Sequence, residues 1–95
     1  MFELTGFQRD ILYCIADVNE PYGLGIKQAL EEYGGTEVNH GQLYPNLDTL
    51  VDKGYVAKSS LDDRTNQYEL TAEGRELLVD RDEWEAERLP DTIVQ

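Results

Sequence analysis

Apolar residues recur at helical spacing in the first part of the chain. A helix over residues 5–18 is predicted because its apolar positions share one face, at Phe7, Ile11, Cys14, Ile15 and Val18. Thr5 is a residue type that caps helix N-termini. The cluster Asn19-Glu20-Pro21-Tyr22-Gly23 predicts the turn that ends this helix.

A second, shorter helix is predicted over residues 24–33. Its apolar positions are Leu24, Ile26, Ala29, Leu30 and Tyr33. The pair Gly34-Gly35 predicts a left-handed helix end, because glycine adopts that conformation without a steric penalty. Residues 36–38 then predict a short extended segment.

A third helix is predicted from about residue 40 to residue 53, with Asn39 as its N-cap. Its apolar stripe is Leu43, Leu47, Leu50 and Val51, and a separate polar stripe is Gln42, Asn46, Thr49 and Lys53. Pro45 lies inside the helix, where a proline costs about 3 kcal/mol. We therefore expect an irregular first turn.

The second half of the chain has strand character at residues 55–58 and 67–70. These segments flank the polar loop 61–66, so together they predict a hairpin. Thr71 then caps a last helix over about residues 72–89, which Pro90 ends. Residues 91–95 are expected to be frayed.

The predicted order is ααα-ββ-α, a mainly α fold with a small β-hairpin. This is the order of a winged helix-turn-helix, in which the third helix enters the major groove of DNA and the hairpin contacts the adjacent backbone. Residues 1–71 would form the DNA-binding domain, and residues 72–95 a C-terminal dimerisation helix with a short tail.

The overall charge of the chain argues against a nucleic-acid partner. The 95 residues include 20 acidic and 8 basic side chains, a formal charge of −12, whereas nucleic-acid binders usually carry a basic face. The acid is unevenly spread, however. Residues 39–58 contain two acids, Asp48 and Asp52, balanced by Lys53 and Lys58.

Dispersed acid with only three lysines is typical of proteins that stay hydrated in very high salt. At about 1 M salt the Debye length is about 3 Å, so self-repulsion is small. An ordinary acidic protein is the alternative. No cofactor is expected, although inorganic cations and anions are expected to bind at high salt. His40 is the single histidine and so a poor metal site, because zinc needs three or four ligands.

Segment composition also bears on compartment and chemistry. No apolar run approaches the roughly 18–20 residues of a membrane span, and no signal peptide is evident, so a cytoplasmic location is expected. Cys14, the single cysteine, cannot form an internal disulfide and is expected to pack in the core. No phosphate loop, nucleophile elbow or paired metal motif indicates an enzyme.

Two motifs in the chain resemble those of a known protein family. Residues 41–56, GQLYPNLDTLVDKGYV, resemble the Leu-Tyr-Pro recognition helix of PadR-like transcriptional regulators, and residues 64–75, RTNQYELTAEGR, resemble their wing strand and Gly-Arg helix start. Tyr22-Gly23 also fits. The resemblance spans residues 4–78 and is greatest to short members from halophilic archaea, some of which respond to oxidative stress. It implies a DNA-binding homodimer.

The chain departs from that family in two respects. The wing contains Asp62-Asp63 beside Arg64, where many relatives are strongly basic. A single C-terminal helix replaces a long multi-helix effector domain, so no small-molecule effector is identified. These departures leave open a second hypothesis, a protein-interaction module or acidic nucleic-acid mimic. Carboxylates around the third helix and wing would favour that second hypothesis.

The candidate DNA-binding residues lie on the third helix, at its end and in the wing. Asn and Gln can bond adenine in a bidentate manner, and lysine, arginine and hydroxyl groups bind phosphate. Asn39 could instead be only a cap, Tyr44 could pack beneath the wing, and Arg64 could pair with a wing carboxylate. The full set is Asn39, His40, Gln42, Tyr44, Asn46, Lys53, Lys58, Arg64, Thr65 and Asn66.

The last helix has an apolar seam that is too sparse for a core. In a two-fold dimer such a seam would meet itself. The alternative is a helix that folds back on its own domain. The candidate dimerisation residues are Leu77, Leu78, Arg81, Trp84, Arg88 and Leu89.

Overall fold

The computed structural model describes residues 1–18 and 22–94. Within them the elements are α1 (Gly6–Asp17), α2 (Gly23–Gly34), α3 (His40–Asp52), β1 (Val56–Ser60), β2 (Asn66–Leu70), α4 (Ala72–Arg88) and α5 (Asp91–Val94). The predicted order ααα-ββ-α is confirmed. Residues 19–21, which make up most of the predicted turn at 19–23, lie outside the described residues, and so does Gln95.

Side-chain caps set the helix starts that the sequence predicted. Thr5 and Gln8 form a reciprocal capping box at α1. Asn39 accepts a hydrogen bond from the Gln42 amide at 3.1 Å, and Thr71 caps α4. These bonds satisfy backbone N–H groups that have no partner inside the helix. The left-handed end of α2 is also confirmed, with Gly35 at a φ of 70°.

Pro45 was expected to make the first turn of α3 irregular, but it does not interrupt the helix. The helix is continuous from His40 to Asp52, with Pro45 inside it. Proline lacks the N–H that would bond to the Gly41 carbonyl, but Gly41 is only the second residue of the helix. The loss is therefore confined to the first turn. Thr49 Oγ1 donates to the Pro45 carbonyl at 3.0 Å one turn later.

The two strands pair antiparallel, with Val56 opposite Leu70 and Ser60 opposite Asn66. β1 begins one residue later and ends two residues later than predicted, and β2 begins one residue earlier, which leaves a loop at residues 61–65. An isolated antiparallel bridge links Tyr22, directly before α2, to Gln67.

The core lies between the three first helices and the hairpin. It contains Leu4, Ile11, Leu12, Ile15, Ile26, Leu30, Val38, Leu43, Leu47, Leu50, Val56, Tyr68 and Leu78. Leu12 is fully buried although it was not in the predicted stripe. Leu24 and Tyr33 were expected to face the core but are 61% and 89% exposed. Both lie near the ends of α2, beyond its buried residues Ile26 and Leu30.

The last helix packs on the domain only through its first turns. Its buried residues are Gly74 and Leu78. Leu78, 7% exposed, belongs to the domain's own core, which corrects its assignment to dimerisation. The expectation that residues 91–95 fray is also wrong for residues 91–94, which form α5 after Pro90. No helix in the described part of the chain is long and apolar enough to cross a membrane.

Close backbone contact fixes α4 against the base of the hairpin. The Thr71 amide donates to the Tyr55 carbonyl at 3.1 Å, and Thr71 Oγ1 donates to the Gly54 carbonyl at 2.7 Å. Gly74 lies directly over that same Tyr55 carbonyl oxygen, where an added Cβ would overlap it. A side chain at position 74 would therefore displace α4 from the hairpin.

We expect Gly74→Ala to lower the free energy of unfolding by about 1–3 kcal/mol, the usual cost of overpacking against atoms that cannot move away. Chemical denaturation at fixed KCl measures it. Gly34→Ala is the matched control, since the nearest atom to its Cβ would be Thr36 Oγ1 at 3.9 Å. Alanine there should be neutral or stabilising. Equal effects of the two substitutions would contradict the proposed contact.

Candidate nucleic-acid interface

The burial of α3 determines which of its side chains face solvent. Leu43, Leu47 and Leu50 are fully buried, so Gln42, Pro45 and Asp48 lie on the exposed side. The first turn of α3 contains no acidic residue. Its N-terminus therefore keeps the partial positive charge of an uncompensated helix dipole. His40 is exposed there and stacks on Tyr44, with ring centroids 5.5 Å apart.

Asn39 and Asn46 are less free than their sequence positions suggested. The Asn39 side chain caps α3, which supports the capping interpretation of that residue. Asn46 is half-buried, not fully exposed on the polar stripe. Its Oδ1 accepts from Gln8 Nε2 at 3.0 Å, and its Nδ2 donates to the Gln42 carbonyl at 2.7 Å. Each of these two atoms keeps one further hydrogen-bonding position, so contact of Asn46 with a base stays a prediction.

A cleft of about 270 Å³ joins three elements beside α3. Tyr44 lines it from α3, and its hydroxyl packs directly against Gly23 at the start of α2. These contacts favour the packing alternative for Tyr44, and contact of its hydroxyl with DNA stays a prediction. The lining residues are Tyr22, Gly23, Leu24, Tyr44, Arg64, Thr65, Asn66 and Tyr68.

The wing tip is folded by Asp62 and leaves Arg64 available. Asp62 Oδ1 accepts from the backbone amides of Arg64 and Thr65, both at 2.8 Å. These hydrogen bonds, the one from Arg64 foremost, hold the pKa of Asp62 below its usual range. Among the described residues, no carboxylate oxygen lies within 4.0 Å of the Arg64 guanidinium. The alternative of an Arg64 ion pair with Asp62 or Asp63 is therefore wrong.

The two lysines of this region differ in their surroundings. Lys58 Nζ lies 3.5 Å from Asp48 Oδ1 in an exposed pair that connects β1 to α3. Exposed pairs contribute at most about 1 kcal/mol, so Lys58 can exchange this partner for another anion. Lys53 is exposed at the C-cap of α3, and its ammonium has no carboxylate within 4.0 Å in the described part of the chain.

The largest groups of acidic side chains lie away from the cleft. Arg64 provides the one formal charge among the cleft's lining residues. All eight acids of residues 72–95 are exposed on α4 and α5. Three more, Asp10, Asp17 and Glu32, border a groove between α1 and α2. Three exposed carboxylates nevertheless belong to the Gln42 face and the wing, at Asp48, Asp62 and Asp63. Asp48 pairs with Lys58, and Asp62 accepts from backbone amides.

The exposed part of α4 presents a tryptophan between two arginines. The Arg81 and Arg88 guanidinium carbons lie 4.6 Å and 4.5 Å from the centre of the Trp84 ring. Arg81 Nε also donates to Glu85 at 2.9 Å. Leu77 and Trp84, together with Met1 and Phe2, line a shallow pocket with a volume of about 190 Å³. Phe2 is 83% exposed, which leaves a large apolar patch uncovered.

Sequence reasoning missed Gln8, Tyr22, Gly23 and Leu24 as parts of this region. Gln8 had a local signal, because Thr5-x-x-Gln8 is the pattern of a capping box. Its contact with Asn46 spans 38 residues and has no local signal. Among the described residues, no three His, Cys, Asp or Glu side chains are grouped in a way that could hold a metal ion.

The fold and this site define a winged-helix protein of the regulator type. The sequence profile of the Transcriptional regulator PadR-like family matches residues 11–80. The chain therefore belongs to that family, and the resemblance stated from the sequence is confirmed. A comparison with curated proteins gave no match.

Solved structures support the same assignment. RosR of H. salinarum, from crystals grown from NaBr, is 54% identical with a TM-score of 0.88, over 94% of this chain and 80% of RosR. The structure of the hsRosR-S1 complex is 55% identical and also has a TM-score of 0.88. The match covers 93% of this chain and 78% of the RosR chain. A MarR/EmrR family regulator from Acinetobacter sp. ADP1 is 20% identical and has a TM-score of 0.69. That match covers 92% of this chain and 58% of the regulator. This third structure shares the fold.

Cys14 lies at the α1–α2 groove and is half-buried. Burial, followed by the charges of Asp10 and Asp17, raises the pKa of its thiol to about 11. An ordinary thiol has a pKa of about 8.5, so far less thiolate forms in the folded protein.

We expect Cys14 in the folded protein to react with iodoacetamide at pH 8 roughly two orders of magnitude more slowly than in the unfolded chain, because the thiolate is the nucleophile. Mass spectrometry of timed samples with and without guanidinium chloride measures both rates. Cys14→Ser provides the background. Similar rates in the two states would indicate a reactive thiolate and contradict a packing role.

Proposed function

We propose that the protein is a cytoplasmic, homodimeric, sequence-specific DNA-binding regulator. The observation that supports this most directly is the cleft shared by α3, the wing and the start of α2, whose single formal charge is the unpaired Arg64. A duplex with α3 in its major groove would bring backbone phosphates to the wing. None of the residues that line the cleft is acidic, which favours DNA over the interaction module or nucleic-acid mimic.

In this proposal the candidate residues divide by role. Gln42 has an exposed side chain on the first turns of α3 and would contact base edges. Arg64, Thr65 and Asn66 would contact flanking phosphate or the minor groove. The hydroxyl of Tyr44, together with His40, Lys53 and Lys58, would contact the backbone, while Asn39 would act mainly through its cap.

High salt would be part of the binding mechanism. Few cationic side chains are available near α3 to replace the counterions of DNA, and the rest of the molecule is strongly acidic. We propose that inorganic cations bound between acidic faces and DNA bridge part of the repulsion. Ordinary DNA-binding proteins lose affinity steeply as salt rises, through counterion release.

We expect Gln42→Ala to weaken binding by about 1–3 kcal/mol at particular base pairs, and Arg64→Ala to weaken it similarly for all sequences. Selection from a random duplex library at molar KCl would give the site, and fluorescence anisotropy the affinities. Arg75→Ala is the charge-matched control, since Arg75 borders a separate groove beside β2.

Wild-type affinity for DNA should change little, or rise, as the KCl concentration increases. A steep loss of affinity up to molar KCl would contradict the ion-bridged mechanism.

The dimer would form through the exposed seam of α4. Leu77, Arg81, Trp84 and Arg88 follow i, i+4, i+7 and i+11 spacing and so share one stripe. Leu89, 49% exposed, borders the surface beside Trp84. Two copies joined here would place their recognition helices about 34–36 Å apart on DNA.

We expect sedimentation velocity to show a dimer at micromolar concentration, and Trp84→Ala to raise the dimer dissociation constant at least about tenfold, since buried tryptophans dominate interface energies. Val79→Ala is the matched control. Val79 is 55% exposed and lies on the opposite side of α4 from Trp84. A monomeric wild type, or equal effects of the two substitutions, would contradict this interface.

A further inference from the structure

Pro45 lies in the middle of the solvent-facing side of α3. It is exposed, whereas Leu43, Leu47 and Leu50 on the opposite side are fully buried. Proline is favoured at the first position of a helix, but Pro45 is the sixth residue of α3 and removes one helical hydrogen bond. Because the ring is exposed, burial in the core does not offset this cost. A contact that buries the ring must come from another molecule.

The group that Pro45 presents to solvent is apolar. Proline has no N–H, and the Pro45 carbonyl lies inside a continuous helix, where it accepts from the backbone one turn later. The same carbonyl also accepts from Thr49 Oγ1 at 3.0 Å, so both of its lone pairs are used. What remains is the ring, which has no free side-chain rotation, so burying it costs almost no side-chain entropy. Pro45 is therefore suited to van der Waals contact with an apolar group.

The surface beside this ring is open on its N-terminal side. Helical side chains lean toward the N-terminus, so the Pro45 ring lies over the preceding turn, which has the exposed Gly41 on the same face. Gly41 has no side chain that could cover the ring. On the C-terminal side, the exposed Asp48 pairs with Lys58 of β1 at 3.5 Å. A group that approaches α3 from solvent can therefore reach the ring over Gly41.

We propose that Pro45 is a specificity-determining residue that contacts the 5-methyl group of a thymine in the major groove. This inference rests on the proposed function, in which α3 enters that groove. Among the groups that distinguish base pairs in the major groove, the thymine methyl is the apolar one, and the others are hydrogen-bond donors and acceptors. Pro45 would thus select one T·A pair in each half-site, with the thymine on a defined strand.

Molar salt leaves this kind of contact intact. At about 1 M salt the Debye length is about 3 Å, so attraction between exposed charges is strongly screened. Contact between a proline ring and a methyl group involves no net charge and is not screened. The preference for thymine over deoxyuridine, which lacks the methyl group, should therefore be as large at molar KCl as at lower KCl.

Replacement of thymine by deoxyuridine tests the contact, since the two bases differ only in the 5-methyl group. The duplex is the site that the wild type selects at molar KCl, with each thymine replaced singly and the affinity measured by fluorescence anisotropy. We expect one thymine per half-site whose replacement weakens binding about fourfold, the effect of one buried methylene-sized group. At the same position, 5-methylcytosine should bind more tightly than cytosine.

Pro45→Ser and Pro45→Val form a matched pair of variants. Both restore the N–H and its helical bond to the Gly41 carbonyl, so they share any effect of that bond on the helix. Pro45→Val keeps an apolar side chain and should keep the preference for thymine, whereas Pro45→Ser should bind the two duplexes equally. Arg64→Ala should weaken binding to both duplexes and leave the ratio of their affinities unchanged.

The outcomes separate this inference from the proposed function. A loss on deoxyuridine that disappears in Pro45→Ser supports the inference, because a change in duplex shape would affect both proteins equally. A selected site in which no replacement weakens wild-type binding, or an equal loss in Pro45→Ser, would overturn it and leave the proposed function standing. A wild type that enriches no duplex would overturn both. Circular dichroism melts of each variant confirm that the folded protein is compared.

Discussion

The packing of three leucines sets the geometry on which the rest of the molecule depends. Leu43, Leu47 and Leu50 are fully buried on one side of α3 and so fix the rotation of that helix about its axis. Fixing this rotation also fixes the opposite face, because residues of a helix have constant angular positions. Gln42 faces solvent for this reason and not through any preference of its own. The chemistry of the site is thus a consequence of apolar burial.

The position of the hairpin relative to α3 has a different physical basis. Contacts at its base hold it to α4, where Thr71 bonds to Gly54 and Tyr55 and where Gly74 permits close approach. Near its tip, Tyr22 pairs with Gln67 and so connects the start of α2 to the wing. Arg64 is presented by a rigid loop, since Asp62 uses its carboxylate on backbone amides instead of on the guanidinium.

Local sequence signals predicted most of the fold and part of the site. Caps at Thr5, Asn39 and Thr71 and the spacing of the leucines act within one or two helical turns, so the sequence reveals them directly. What could not be predicted depends on distant packing. Tyr33 fits a helical stripe, but α2 extends beyond the core there and leaves it exposed. Asn46 belongs to a polar stripe by spacing, yet its partner Gln8 lies 38 residues away.

The contact between Gln8 and Asn46 shows how a core requirement can enter a binding site. A buried amide that lacks hydrogen-bond partners costs free energy, so Gln8 needs both a donor and an acceptor. The capping box supplies the donor at Thr5, and the acceptor must then come from a neighbouring element. Asn46 supplies it and thereby loses freedom on its exposed side. The packing of α1 against α3 and the orientation of the Asn46 amide are therefore coupled.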